Sequence, residues 1–185
     1  MAVNGGGLLI VDCTCAGYLP MQRQVDVPWQ DFTQVSLMAM TQLDAKVTTI
    51  DLDSIQDIAI AEGSPVSDSD GIRKARIIVP EGVHASMRLA DQSLVSLSTI
   101  SIRATEYTVG EDGPEAMPAI LPPSSAYTYC VEYSVDEALT SNSTSVVFDQ
   151  PLYHYNDNFL DIPVGEVVPM GTYSREKGLW VPTDN

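Results

Sequence analysis

Residues 151–182, PLYHYNDNFLDIPVGEVVPMGTYSREKGLWVP, restrict most strongly what this chain can fold into. Prolines at 151, 163, 169 and 182 alternate with glycines at 165, 171 and 178. Proline lacks an amide donor and clashes with the preceding helical turn, and glycine gives up the most backbone entropy when ordered. No helix of useful length can run through such spacing. Between the breaks lie short apolar runs at 159–162, 167–170 and 179–181. Short apolar runs separated by closely spaced turns predict antiparallel β-structure.

The rest of the chain carries the same signature. Over 127–135, Tyr127, Tyr129, Val131, Tyr133 and Val135 alternate with Thr128, Cys130, Glu132 and Ser134. That period of two predicts a strand with the first set on one face and Val131 in the core. Upstream, glycines 5–7 signal a turn, 8–16 is apolar enough for a buried strand, 17–20 is a break, and 22–27 alternates before Pro28. Residues 32–43 form a third extended candidate, although the methionines in their middle also fit a short helix. Segment 46–61 is rich in β-branched residues and reads as strand. Residues 62–71 read as a hinge. Segments 73–80 and 83–89 flank Glu81-Gly82 as a hairpin would, with a further turn at Asp91-Gln92. One long strand or two short ones fit 94–108. The proline-rich 110–123 predicts a loop, 136–139 a single helical turn, and 146–148 a strand. The expectation is an all-β protein with very little helix, divided near Leu43–Val47.

Charge limits the partners. The chain holds 25 acidic and 9 basic residues, for a net charge of −16. Such a surface repels phosphate backbones and anionic headgroups, so neither nucleic acid nor an anionic membrane is expected as a partner. No apolar run approaches the roughly 18 residues that a spanning helix needs, so no membrane insertion is expected. The N-terminal residues lack the basic start of a signal peptide.

Candidate sites are few. Cys13 and Cys15 would face the same side of one strand, a poor geometry for a disulfide, and Cys130 reads as a small core residue. With His84 and His154 the only histidines, no metal-ligand spacing stands out. Asp68-Ser69-Asp70-Gly71 resembles a calcium loop only superficially, because the glycine and the closing glutamate are out of place; a surface turn is expected. Tyr153-His154-Tyr155-Asn156-Asp157-Asn158 reads as an exposed strand end or as a sugar- or protein-binding edge. Trp29 and Trp180, each next to a proline or one residue from it, read as seals at a core edge or as binding hot spots. Asn142-Ser143-Thr144 fits a glycosylation sequon. No nucleophile elbow or phosphate loop occurs. The expectation is no catalysis, no cofactor and no metal.

Several stretches resemble one family. Asn4-Gly5-Gly6, residues 8–11, Gly17-Tyr18-Leu19-Pro20, Gln22-Arg23 and Val27-Pro28-Trp29-Gln30-Asp31-Phe32 resemble the second half of the transthyretin-like (carboxypeptidase-regulatory-like) domain of teneurins and bacterial Rhs/YD-repeat proteins. Arg103-Ala104-Thr105-Glu106-Tyr107-Thr108-Val109-Gly110, Met117-Pro118, Tyr127-Thr128-Tyr129 and Val135-Asp136-Glu137-Ala138 are similar to the same group. So are Asn158-Phe159-Leu160, Ile162-Pro163-Val164-Gly165, Val168-Pro169, Gly171, Tyr173, Arg175, Gly178 and Trp180-Val181-Pro182. Ser174 departs from the pattern, which has an aspartate beside the tyrosine; serine can take its place in a turn. The resemblance implies that residues 1–45 form the C-terminal half of a transthyretin-like domain. It implies that 46–185 form an antiparallel β-sandwich-like domain with a long loop near 110–124. It implies a fragment, with Met1 an internal methionine, in which 1–45 make a partial sheet prone to association. The function implied is a non-catalytic spacer or plug within a large secreted or cell-surface protein of adhesion or toxin delivery. Its partners would be the rest of that polypeptide and a cell-surface protein or glycan. The alternative is an independent carbohydrate- or protein-binding β-sandwich.

Overall fold

The computed structural model describes residues 6–107, 112–121, 129–141 and 143–183. The fold is all-β: fifteen strands in antiparallel sheets, one five-residue helix and two 3-10 turns among the described residues. The chain divides into two compact units, and the backbone passes between them four times. One unit takes residues 1–43, 107–130 and 163–185; the other takes 44–106 and 131–162. The first cut falls between Leu43 and Asp44. The expectation of one continuous domain over 46–185 differs from this grouping, because 107–130 and 163–185 fold with the N-terminal residues instead.

In the first unit, β1 (Gly7–Cys13) and β2 (Met21–Val27) pair antiparallel along their full length. Turn chemistry at Gly17, whose φ is +81°, returns the chain between them. Residues 32–43 form no strand; they run as coil tied by backbone bonds from Leu19 N–H to Thr41 O, Leu43 N–H to Gly17 O and Ala39 N–H to Glu115 O. The described part of the expected loop, 112–121, holds a 3-10 turn at Gly113–Ala116 and then runs inward, with Ala116, Met117 and Ala119 buried. Met117 joins Leu19 and Tyr107 in a small core flanked by Leu43, Leu121, Cys130 and Trp180. Trp180 seals that core and donates its indole N–H to Ala119 O at 3.3 Å. Trp29 does not seal anything: it is 70% exposed. Two further strands form a hairpin, and in chain order they are β14 (Gly171–Ser174) and β15 (Leu179–Pro182). In its turn the Ser174 hydroxyl accepts from Lys177 N–H at 3.3 Å. The apolar runs 159–162 and 167–170 form no strand.

The second unit contains β3 to β13. The strands are β3 (Thr48–Asp51), β4 (Ile58–Glu62), β5 (Val66–Asp68), β6 (Gly71–Arg73), β7 (Arg76–Pro80), β8 (Ala85–Arg88), β9 (Leu94–Leu97), β10 (Thr99–Glu106), β11 (Val131–Val135), β12 (Ser145–Phe148) and β13 (Tyr153–Tyr155). They form sheets ordered β11-β10-β3, β12-β8-β9 and β13-β7-β4, plus the β5-β6 hairpin. Their inward faces share a core of Ile50, Leu52, Ala61, Ile77, Val79, Val83, Ala85, Ile100, Ile102 and Val135. Gly63 is required here, since a Cβ at that position would lie 2.5 Å from Ala104 O. The helical turn α1 (Asp136–Thr140) appears where expected.

Three local expectations are corrected, and the choice left open over 94–108 is decided. The stretch 62–71 is not a plain hinge but contains β5 and the start of β6. Glu81-Gly82 does not close a hairpin: β7 and β8 belong to different sheets, and Glu81 N–H donates to Asp57 O. Segment 94–108 is two strands, again in different sheets. Val131 is only half-buried, whereas Ser134 and Val135 are the buried members of β11. The strand begins at Val131, and one step upstream Tyr107 N–H still donates to Cys130 O in the same register. Tyr127 and Thr128 lie outside the described residues, as do Thr108, Val109 and Gly110 of the resembling segment and Asn142 of the sequon.

Candidate functional site

The chemistry-bearing side chains of the described residues gather around buried or half-buried arginines. In the first unit β2 alternates with Met21, Arg23 and Val25 directed to one face. Arg23 is therefore carried inward with its apolar neighbours and is 2% exposed. Its guanidinium donates to Gln22 O at 2.8 Å, Met117 O at 3.0 Å, Glu115 O at 2.9 Å and Leu37 O at 3.3 Å. A buried loop ordinarily strands its carbonyls. Here a single fork of donors satisfies them across the loop and the 32–43 coil. Burial pulls the guanidinium below its ordinary pKa, against the opposing influence of Tyr173. It remains far above neutral pH, because arginine does not deprotonate in proteins.

In the second unit Arg73 is 1% exposed at the end of β6. Asp68 stands across the tight turn on β5, in the adjacent strand of the hairpin, and takes both terminal nitrogens at 2.8 Å. Glu106, at the end of β10, accepts from the Nε–H at 2.7 Å and lies 2.6 Å from Nη2, which it shares with Asp68. The planar guanidinium stacks 4.5 Å from the Phe159 ring centroid. Hydrogen bonds from Asp68 and then Glu106 push the Arg73 pKa up. The DSDG segment is thus a turn whose first aspartate is consumed by an arginine, and among the described residues no cluster of His, Cys, Asp or Glu could hold a metal. Cys13, Cys15 and Cys130 are not disulfide-bonded.

A more exposed network lies in the same unit. The Glu62 carboxylate meets Lys74 at 2.7 Å, Lys46 at 3.0 Å and Arg76 at 3.1 Å. Arg76 also reaches Asp157 at 3.1 Å and lies over the Tyr155 ring at 5.4 Å. Arg103 pairs with Asp136 at 2.7 Å and donates to Asp44 O. Six of the nine basic side chains make these contacts, five of them with carboxylates, so that those charges cancel locally.

The Tyr153–Asn158 stretch divides in two. Tyr153 and Tyr155 are 58% and 53% exposed on the outer face of the edge strand β13. Register places Tyr153 beside Ile78 and Ile60, and Tyr155 beside Arg76, so this sheet presents Ile58, Ile60, Ile78 and two tyrosines outward. His154, Asp157 and Asn158 have structural partners. His154 Nδ1 lies 2.5 Å from Tyr133 Oη, whose hydroxyl donates to Arg76 O; the shared oxygen must then accept from Nδ1–H. Asn158 closes a loop by bonding both ways with Ile162.

Paired carboxylates make the second unit acid-labile. Lys74, then Lys46 and Arg76, hold Glu62 down at about 2, from 4.5, and Arg73 holds Asp68 down at about 2, from 3.8. A depressed folded pKa means that the unfolded chain binds more protons in this window. The stability these groups contribute is therefore complete above pH 4.5 and is lost as pH falls towards 2. Melting temperature measured across that window is expected to fall, and Glu62→Gln to flatten part of the fall. An unchanged melting temperature down to pH 2 would contradict the pairing.

Sequence reasoning missed both buried arginines. The available signal for Arg23 was an arginine at an inward position of an alternating strand. For Arg73 it was an aspartate and an arginine facing each other across a four-residue turn signal. Comparison with protein-family models, with curated proteins and with solved structures finds no match to this chain.

Proposed function

We propose that this chain is a non-catalytic structural β-module, a spacer or plug within a larger secreted or surface polypeptide of the Rhs/YD-repeat type. The observation that carries the structural half of this reading is the use made of charge. Arg23 and Arg73 are spent on fastening a buried loop and a hairpin to their units rather than on a cleft. Perturbed groups at functional sites converge on a cavity; these are saturated by neighbours that hold backbone in place. The Rhs/YD half rests on the residues quoted for the resemblance, among them Val27-Pro28-Trp29 and Trp180-Val181-Pro182. Sequencing the DNA on both sides tests it: in-frame strands upstream and repeats downstream, or their decayed remains, are expected. Turnover of a glycoside, ester or peptide, abolished by one carboxylate or serine substitution, would overturn the non-catalytic reading.

One observation favours a second reading, a carbohydrate- or protein-binding sandwich. The outer face of β13-β7-β4 exposes Tyr153, Tyr155, Ile58 and Ile60 side by side, and aromatic rings on a rigid sheet are suited to stacking against a ligand. A glycan array separates the two: specific binding lost in Tyr153→Ala and Tyr155→Ala supports the second.

A further inference from the structure

The edge of the first unit's sheet carries the strongest unassigned surface. Strand β1 has one partner, β2, along all seven of its residues. Its other edge makes no backbone hydrogen bond with any described residue. Each peptide on that side alternately presents an unpaired N–H and C=O. Natural edge strands are guarded by lysine, proline, bulges or a covering loop. The edge of β2 is guarded: Gln22 N–H donates to Pro118 O, Pro28 follows the strand, and Arg23 points inward. Among the described residues, Gly7–Val11 has none of these devices. Its register with β2 is unbroken, and it carries no charge before Asp12.

Its side chains match a central strand as well. Leu8 and Ile10 stand on one face and are 65% and 39% exposed; Leu9 and Val11 stand on the other and remain only half-buried. A strand apolar on both faces is the composition of a strand whose two faces are covered. A neighbour added to β1 would pair the open ladder and cover the flanks of all four side chains.

We propose that the β1 edge accepts an extended peptide segment by β-augmentation, one that is apolar at alternate positions and uncharged or basic at its ends. The ladder itself specifies an extended backbone as the occupant, and alternate apolar positions follow from the two apolar faces. Charge selects among such segments. Asp12 lies in β1 and Asp26 lies opposite Leu8, in a chain of net charge −16. Bringing a second copy to this edge doubles that charge, whereas a basic segment is attracted to it. The inference stands on the sheet and does not rest on the function proposed above.

The test uses the full chain and a synthetic peptide of seven residues, the length of β1, with valine at alternate positions and lysine at both ends. Hydrogen exchange of amides 7–12 is expected to slow on the order of tenfold or more on adding the peptide, while the rest of the chain is unaffected. Two proline variants locate the edge. Leu9 and Ile10 direct their N–H groups to opposite sides. One of Leu9→Pro and Ile10→Pro therefore breaks the pairing with β2 and lowers the melting temperature. The other removes only an outward donor, which an edge strand tolerates. The variant that melts like the parent is expected to lose the peptide effect, and Leu8→Lys to weaken it. No slowing at millimolar peptide, or equal slowing in all variants, overturns the proposal. Amides 7–12 already protected in a monomer without peptide overturn it too. A concentration-dependent dimer protected at β1 without peptide overturns the choice of occupant in favour of a second copy.

Discussion

Arg73→Met is expected to destabilise the second unit by about 3–5 kcal/mol, the range for removing one partner of a buried ion pair. Arg73 is 1% and Glu106 8% exposed, so the carboxylate left behind has little access to water. The same substitution takes the fork away from Asp68 and the cation away from Phe159 at 4.5 Å. The β5-β6 hairpin has only three residues per strand and is not stable by itself. Its attachment depends on this arginine. Arg73→Lys keeps the charge but not the planar fork, so an intermediate loss is expected. Adding Glu106→Gln to Arg73→Met should recover part of the loss, because the buried charge is then removed. Thermal or denaturant unfolding followed by circular dichroism measures all three. A melting temperature for Arg73→Met within about one degree of the parent would mean that the pair does not hold the hairpin.

Arg23→Met carries the second large effect, on the order of 3 kcal/mol and confined to the first unit. Methionine has similar length and fills the space, so the loss isolates the hydrogen bonds rather than a cavity. It removes the donor from the buried Met117 carbonyl at a cost in desolvation, and from the part-buried Leu37 and Glu115 carbonyls, of which Glu115 O keeps its bond from Ala39 N–H. Arg23→Lys is not a rescue, because one ammonium cannot span carbonyls drawn from three segments. Trp180 supplies a local readout. Its indole N–H is held by Ala119 O at 3.3 Å, directly after the residues Arg23 secures. Loosening of that loop wets the ring and shifts its emission to the red. Trp29 is 70% exposed and contributes a constant background, removed by working in Trp29→Phe. Arg23→Met with unchanged Trp180 emission and unchanged exchange over 112–121 would show that the loop holds itself.

The class of the fold was legible in the chain by itself. Proline and glycine punctuation excludes long helices by local sterics alone, and alternation in 22–27 selects a two-faced strand that the structure places at Met21–Val27. The single helical turn at Asp136–Thr140 and the hairpin turn at Asp91-Gln92 were legible for the same reason, since both depend on residues a few positions apart. Two exposed tyrosines at a strand end were visible as a period-two pair.

What the tertiary structure alone decided is which strands meet and which charges go inside. Glu81-Gly82 has the local chemistry of a hairpin, yet the core draws β7 beside β4 and β13 and draws β8 beside β9 and β12. Register is set by burial on both faces, and that depends on residues tens of positions away. The loop 112–121 carries two prolines and a glycine, the ordinary mark of a surface segment, yet residues 116–119 are buried, with Arg23, about ninety positions upstream, solvating the carbonyls of Glu115 and Met117. Arg73 reads in sequence as one cation beside an acidic turn, and it becomes a buried cross-link only because β10 brings Glu106 to it. Local sterics act between neighbours in sequence, whereas desolvation acts between neighbours in space. The first is written in the order of residues, and the second exists only once the chain has folded.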